Sequence, residues 1–141
     1  MLVDMGGDAI PDATGEPGDV LADRTHHFRA PVALLYSALT TDLDAWMRLA
    51  PGEIMPTVLD TSPLARVVWS SFWPVSPDDT VVLDLEPDGE DETTIRLRWV
   101  TRQPPDARGV GITRQRLNRK LGGDLRSIVA KHYWATRQAD R

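Results

Sequence analysis

The stretch TVVLDLEPDGEDETTIRLRWVT, residues 80–101, decides the fold. Apolar side chains alternate with polar ones on both sides of its Pro-Asp-Gly turn, at Val81, Leu83, Leu85, Ile95, Leu97 and Trp99. Alternation with a period of two is typical of half-buried β-strands, and Pro-Asp-Gly is typical of the turn between them. The stretch therefore predicts an antiparallel hairpin with an apolar face and a wet face, the latter carrying Asp84, Arg96 and Arg98.

Three more strands and two short helices are predicted before this hairpin. Residues 20–30, 54–60 and 66–73 have strand length and are bounded by prolines or turns. Residues 32–50 instead place apolar side chains at helical spacing, with a break near Thr40 and a stop at Pro51-Gly52. We expect two short helices there.

A long amphipathic helix is predicted after the hairpin. When the chain advances by about 100° per residue, one face of this helix is apolar and the opposite face is basic. Gly122-Gly123 lies in its middle and weakens a helix, which predicts a bend or a close contact with the sheet. The order of elements predicts an α+β fold in which a curved antiparallel sheet wraps the C-terminal helix.

Length and charge predict one domain with an acidic tail. The chain has 141 residues, close to the typical domain length of about 150. Residues 1–20 hold five acids, no base and several Gly and Pro, so we expect a disordered tail there, a folded domain over 21–136 and a short tail over 137–141. The formal charge of −5 belongs to the first tail, because the remaining acids and bases are equal in number. Those acids concentrate in residues 21–94 and those bases in residues 95–141.

The composition excludes or disfavours several functional classes. The chain has no cysteine, which excludes disulfides and Cys-ligated zinc. No apolar run approaches the length of a membrane span, about 20 residues, and the N-terminus lacks a signal-peptide pattern, so we expect a cytoplasmic protein without a membrane span. A neutral domain is not expected to bind nucleic acid.

The sequence contains no motif for catalysis, a metal or a cofactor. It has no Gly-x-Ser-x-Gly, no HExxH and no glycine-rich phosphate loop in a strand-turn-helix setting. His26 and His27 are adjacent and would face opposite sides of a strand, so they cannot bind one ion together. Asp78-Asp79 and residues 88–92 are expected to be solvated turns. We therefore predict no catalytic residue, no metal and no cofactor.

Two stretches resemble the SRPBCC superfamily of START-like, helix-grip proteins. FRAPVALLYSALTTDLDAWM, residues 28–47, is similar to its strand, Ala-Pro and helix opening. ARVVWSSFW, residues 65–73, and the hairpin are similar to the closing strands of the branch that includes activators of a chaperone ATPase and polyketide cyclases. The resemblance implies a helix-grip fold. Members usually have two more strands between the second helix and residues 67–73, whereas here only one fits, so we expect a shortened sheet.

The leading functional prediction is a small hydrophobic ligand held between the sheet and the C-terminal helix. The aromatic and aliphatic residues expected to line this cavity are Trp69, Phe72, Trp73, Leu83, Leu85, Leu97, Trp99, Leu121, Leu125 and Ile128. The alternative is a protein-interaction or regulatory module that uses the helical lid or the basic helix face formed by Arg116, Arg119, Lys120 and Arg126. A second alternative is a cyclase- or hydrolase-like enzyme, with acid or base groups from Tyr36, Asp84, Arg98 and His132. We favour a domain that is not an enzyme.

Overall fold

The computed structural model describes residues 9–11, 17–102 and 107–131. The strands in these ranges are β1 (Ala9–Pro11), β2 (Pro17–Phe28), β3 (Val58–Ser62), β4 (Arg66–Trp69), β5 (Thr80–Pro87) and β6 (Thr93–Thr101). Helices α1 (Val32–Leu39) and α2 (Leu43–Trp46) follow β2. The C-terminal helix α3 covers residues 107–131 and consists of Ala107–Arg119, a π-helical segment Lys120–Leu125 and helical residues 126–131.

The strands form one antiparallel sheet in the order β1-β2-β6-β5-β4-β3. The predicted hairpin is confirmed, because Leu83 pairs with Leu97 and Val81 pairs with Trp99. One strand, β3, lies between α2 and β4, as expected for a shortened sheet. The α+β prediction is confirmed: the sheet is open and curled, and its concave face packs on α3.

The core lies between this concave face and α3. The apolar residues of β5 and β6 that face inward share one buried cluster with Leu117, Leu121, Leu125 and Val129 of α3. Trp46 of α2 joins the same cluster, with its ring centroid 6.2 Å from that of Trp69. Because the two short helices and α3 close the same cluster, the position of α2 is fixed relative to the sheet.

The convex face of the sheet, which is the predicted polar face of the hairpin, is less exposed to solvent than expected. Val82 lies directly between Val68 on β4 and Arg98 on β6, and all three side chains are buried. Arg98 and Arg66 both donate to the carboxylate of Asp84, which holds the long arginine stems across the sheet surface. Alternation identified the face correctly, but it could not show that neighbouring strands cover the middle of that face.

Strand structure begins inside the predicted tail. β2 starts at Pro17, and Asp19 pairs with Thr101, while β1 adds a short strand beside β2. Gly18 is required here, because a Cβ atom at this position would lie 2.6 Å from Cγ1 of Val100. The Gly and Pro content of residues 1–20 argues against a strand, but both residues are tolerated at the end of a strand. The rest of the predicted N-terminal tail and residues 137–141 lie outside the described residues.

Two predicted strands have different bounds in the structure. The strand predicted at residues 54–60 lies at Val58–Ser62, and the strand predicted at residues 66–73 ends at Trp69. Beyond Trp69 some backbone pairing persists, but serine hydroxyls take over other bonds: Ser70 accepts from the backbone N–H of Thr57, and Ser71 bonds to the backbone of Trp73. Side chains that bond to nearby backbone compete with the strand ladder in this way.

The irregularity predicted at Gly122-Gly123 is confirmed. Both glycines lie in the π-helical segment of α3. Gly122 faces the His26 ring of β2, and a Cβ atom at position 122 would lie 3.6 Å from Nδ1 of that ring. This distance is an ordinary van der Waals contact, so the helix does contact the sheet here, but the contact does not require a glycine.

Candidate functional site

Most of the predicted cavity-lining residues lie in the closed part of the core. Eight of them are buried in the cluster between the sheet and α3: Trp69, Phe72, Leu83, Leu85, Leu97, Trp99, Leu121 and Leu125. Trp73 is half-buried at its margin. Neighbouring aromatic rings touch one another, with centroids 5.9 Å apart for Trp69 and Phe72 and 5.1 Å apart for Trp73 and Trp99.

Ile128 is the predicted cavity residue whose surroundings differ most from the expectation. It is half-buried and lines an open cleft between α1, α2 and the last turns of α3. The cleft consists of two adjoining pockets, which share Ala45, Trp46 and Ile128. Sequence reasoning missed it, because its two walls come from distant parts of the chain.

The first pocket of the cleft is largely apolar. Its volume is about 320 Å³. Its walls are Leu34, Ser37, Ala38, Asp42, Ala45, Trp46, Ile128 and Val129. Pockets of this size and character are common binding sites for small molecules.

The second pocket of the cleft carries charged side chains. Its volume is about 370 Å³. Besides the three shared residues, it is lined by Arg48, Asp124, Ser127 and Lys131. The two pockets together therefore offer an apolar half and a charged half.

Local structure fixes the tryptophan at the centre of the cleft. Helix α1 ends where the hydroxyl of Thr40 donates to the carbonyl of Tyr36 at 2.7 Å. The chain then turns into the single turn of α2, and the indole Nε1 of Trp46 donates to the carbonyl of Ala38 at 2.7 Å. This bond links α2 back to α1 and holds the ring, so the wall of the cleft is formed before any ligand arrives.

Asp79 corrects the prediction of a solvated acidic turn. Its exposed fraction is 4 %, and its carboxylate accepts from Nε1 of Trp99 at 2.9 Å and from Oγ1 of Thr101 at 2.6 Å. Burial raises the pKa of Asp79 above its usual value, and the two hydrogen bonds oppose this effect. Trp99 is the signal in the sequence that points to such a carboxylate, since a buried indole N–H requires an acceptor.

The prediction that Lys120 belongs to an exposed basic helix face is wrong. It is buried, and its Nζ donates to Oε1 of Glu53 and to the carbonyl of Arg48, both at 2.8 Å. The same ammonium lies 5.2 Å from the centroid of the Phe72 ring. Lys120 follows Leu117 by three residues, which places it only about 60° from the apolar face, within reach of a long side chain. The ion pair with Glu53 thus joins α3 to the loop after α2.

Arg126 also contacts the protein, whereas Arg116 and Arg119 project outward. The guanidinium of Arg126 donates to the carbonyl of His27 at 2.6 Å and lies 4.7 Å from the centroid of the Phe28 ring. Arg116 and Arg119 are exposed on α3. The four residues therefore do not form a single surface available to a partner.

The histidines occupy opposite faces of β2, as predicted. His26 is buried, with Nε2 2.9 Å from Oδ1 of Asn118, and burial lowers its pKa. His27 is exposed, with Nε2 2.5 Å from Oε1 of Glu92. Within the described ranges, no group of three or more His, Asp or Glu residues is arranged to hold a metal.

The three described acid and base groups considered for an enzyme do not share one site. Asp84 and Arg98 lie on the convex face, away from the core cluster. Tyr36 is half-buried against the core on α1. His132 lies outside the described residues.

In the part of the chain that the structure describes, no helix has the length and apolar content needed to cross a bilayer.

Comparison with known proteins identifies the fold. No protein-family model matches the sequence, and no curated protein gives a significant match. Among solved structures, the crystal structure of CalU16 from Micromonospora echinospora is similar with a TM-score of 0.59 and 20% identity, covering 80% of this chain and 75% of that one. The solution structure of the Aha1 dimer from Colwellia psychrerythraea is similar with a TM-score of 0.59 and 19% identity, covering 77% of this chain and 96% of that one. The resemblance to helix-grip proteins is therefore confirmed at the level of the fold.

Proposed function

We propose that this domain binds a small amphipathic molecule, without transforming it, in the cleft between α1, α2 and the end of α3. The observation that carries the proposal is the pair of adjoining pockets around Trp46, one apolar and one charged. Volumes of about 320 and 370 Å³ fall in the usual range for small-molecule sites. Apolar walls supply the binding free energy, and the few polar groups orient the ligand.

The cleft supports binding better than the packed interior does. Eight of the ten residues predicted to line an interior cavity are buried in one packed cluster, so a ligand would have to displace them. The cleft is open and half-lined by apolar side chains. A bound alkyl or aryl group could pack there on Trp46, Ile128 and Ala38 without moving the sheet.

A blocking substitution tests the proposal. Ala45 is exposed and lines both pockets, so Ala45→Phe should fill the space between them and lower the affinity for an apolar fluorescent dye at least tenfold. Ala33→Phe is the matched control, because Ala33 is exposed on α1 but outside both pockets. Equal dye binding by the two variants, or a dye that does not bind the unmodified protein, would refute the proposal.

The second candidate is a protein-interaction module, and exposed apolar residues near the sheet edge favour it. Among the residues whose side chains the structure describes, six of the eight exposed large apolar ones lie between residues 49 and 64: Leu49, Ile54, Met55, Val58, Leu59 and Leu64. They surround β3, whose five residues are all exposed and which forms one edge of the sheet. An apolar sheet edge of this kind can pair with an extended segment of another protein.

The resemblance to activators of a chaperone ATPase suggests the assay for this candidate. The ATPase rate of the host's chaperone would be measured with the domain and with a Leu59→Asp variant, which places a charge on the apolar edge. Stimulation that the variant loses would support the interaction module. An unchanged rate with the unmodified domain would reject a role as an activator of that chaperone.

A further inference from the structure

We infer that the ligand of the cleft has a single anionic group at one end, a carboxylate or a phosphate, and that Arg48 and Lys131 hold this group. The inference rests on the proposed binding function and adds the chemical class of the ligand. Its basis is that both cations of the cleft line one of the two pockets, whereas the other pocket is largely apolar.

The charged half of the cleft carries two cations that have no partner among the described residues. Arg48 follows α2 and Lys131 ends the described part of α3, and both side chains are exposed and line the same pocket. Neither side chain forms an ion pair or a hydrogen bond with a described residue; only the backbone carbonyl of Arg48 is used, by Lys120. In contrast, Lys120, Arg66, Arg96 and Arg98 are all engaged by carboxylates.

The acid of the charged pocket does not cancel its two cations. Asp124 lines the same pocket but is not within 4.0 Å of either cation, so the pocket has one unmatched positive charge. Asp42 lines only the other, largely apolar pocket, so the positive excess belongs to the charged pocket and not to the cleft as a whole. A ligand with one negative group would therefore neutralise the charged pocket, whereas a neutral or cationic ligand would not.

The apolar pocket determines where the rest of the ligand lies. The shared wall of Ala45, Trp46 and Ile128 runs from the charged pocket into the pocket lined by Leu34 and Val129. An alkyl or aryl body attached to the anionic group would follow this wall and bury its surface on these side chains. Ser127 lines the charged pocket and can donate its hydroxyl to the anionic group.

Matched probes that differ only in their end group test the inference. Decanoate, decyl phosphate, decanol and decyltrimethylammonium share one alkyl chain and would be titrated calorimetrically below the concentrations at which they aggregate. We expect both anions to bind about tenfold more tightly than decanol at low salt, with the advantage decreasing as salt is added. Decyltrimethylammonium should bind most weakly. The two anions together show whether the site distinguishes a carboxylate from a phosphate.

Charge-neutral substitutions assign the effect to the two cations. In the double variant Arg48→Gln with Lys131→Gln, the anions should bind no better than decanol, while decanol should bind as before. The double variant Arg116→Gln with Arg119→Gln removes two exposed charges from α3 outside the cleft and should keep the preference for anions. Asp124→Asn should strengthen the binding of both anions.

The outcomes separate this inference from the proposed function. Equal affinities for decanoate and decanol, or a preference for anions that survives the Arg48 and Lys131 substitutions, would overturn the inference but leave the cleft as a binding site. If no probe binds, or if Ala45→Phe binds every probe as the unmodified protein does, the proposed function itself fails.

Discussion

Replacing Asp79 by alanine should destabilise the fold by about 2–3 kcal/mol, because a buried indole N–H would lose its acceptor. The carboxylate of Asp79 receives hydrogen bonds from Trp99 and Thr101, and both donors are buried. A small side chain leaves the Trp99 N–H without water or protein to bond, and this desolvation penalty is the main part of the cost. Asp79→Asn keeps an acceptor oxygen in place, so its cost should stay within about 1 kcal/mol.

The dependence on pH separates the charge of Asp79 from its hydrogen bonds. Burial raises the pKa of this carboxyl, so the folded state binds the proton more tightly than the unfolded state does. The free energy of unfolding that this group contributes is therefore highest at acid pH and decreases as the pH rises from the unfolded pKa through the folded pKa. Asp79→Asn has no such group, so its stability relative to the unmodified protein should improve over the same pH interval.

Urea denaturation followed by circular dichroism measures both effects. Asp78→Ala is the control, since the neighbouring Asp78 is exposed and its replacement should change the free energy of unfolding by less than about 0.5 kcal/mol. If Asp79→Ala were as stable as the Asp78 variant, Asp79 could not be the acceptor of a buried indole, and the reasoning would be refuted.

Three further substitutions test contacts that connect parts of the fold. Gly18→Ala should lower the free energy of unfolding by about 1–3 kcal/mol in urea denaturation, because its Cβ would lie 2.6 Å from Cγ1 of Val100. Burial lowers the pKa of His26 in the folded state, so its contribution to the free energy of unfolding is lost as the pH falls below the unfolded-state pKa of about 6.5. His26→Gln should therefore lose less stability on acidification than the unmodified protein does. Lys120→Met should cost about 3–5 kcal/mol by thermal or urea unfolding, because it leaves the carboxylate of Glu53 buried without its cation, and adding Glu53→Gln should recover much of that loss.

Each of these substitutions has a control of the same chemistry. Gly111→Ala places a Cβ in open space on α3 and should not destabilise the protein. His27→Gln changes an exposed histidine and should leave the acid transition largely as it is. Arg119→Met removes an exposed cation of α3 and should cost little compared with Lys120→Met. A control that destabilised the fold as much as its partner would contradict the contact concerned.

The sequence predicted the elements whose pattern is local. The period of two in residues 80–101 predicts both strands of the hairpin, which the structure places at Thr80–Pro87 and Thr93–Thr101. The break at Thr40 and the glycine pair in α3 were likewise readable, since proline, glycine and helical spacing act within a few residues. The depth of burial on the convex face was not readable, because Val82 is covered by residues of two other strands.

The candidate site could not be predicted for the same reason. The angle of Ile128 around α3 predicts the inner face, and Ile128 does pack against the core, but the neighbouring helices also make it a wall of the cleft. The angle of Lys120 predicts a solvent-exposed position, and its burial is favourable only because Glu53, from a distant loop, pairs with it. The pockets combine residues 34–48 with residues 124–131, and no pattern within either segment reveals the other.

The acids of the first part of the chain and the bases of the last part pair with each other in the folded protein. Within the described parts of the chain, acids of residues 21–94 and bases of residues 95–141 meet in three ion pairs: Asp23 with Arg96, Asp84 with Arg98, and Glu53 with Lys120. These pairs join β2 to β6, β5 to β6, and the loop after α2 to α3. A cation that already has a carboxylate partner is poorly placed to attract an anionic ligand, since its charge is largely compensated. Arg48 and Lys131 have no such partner among the described residues, and both line one pocket, which is why the cleft is the place where this charge can act on a ligand.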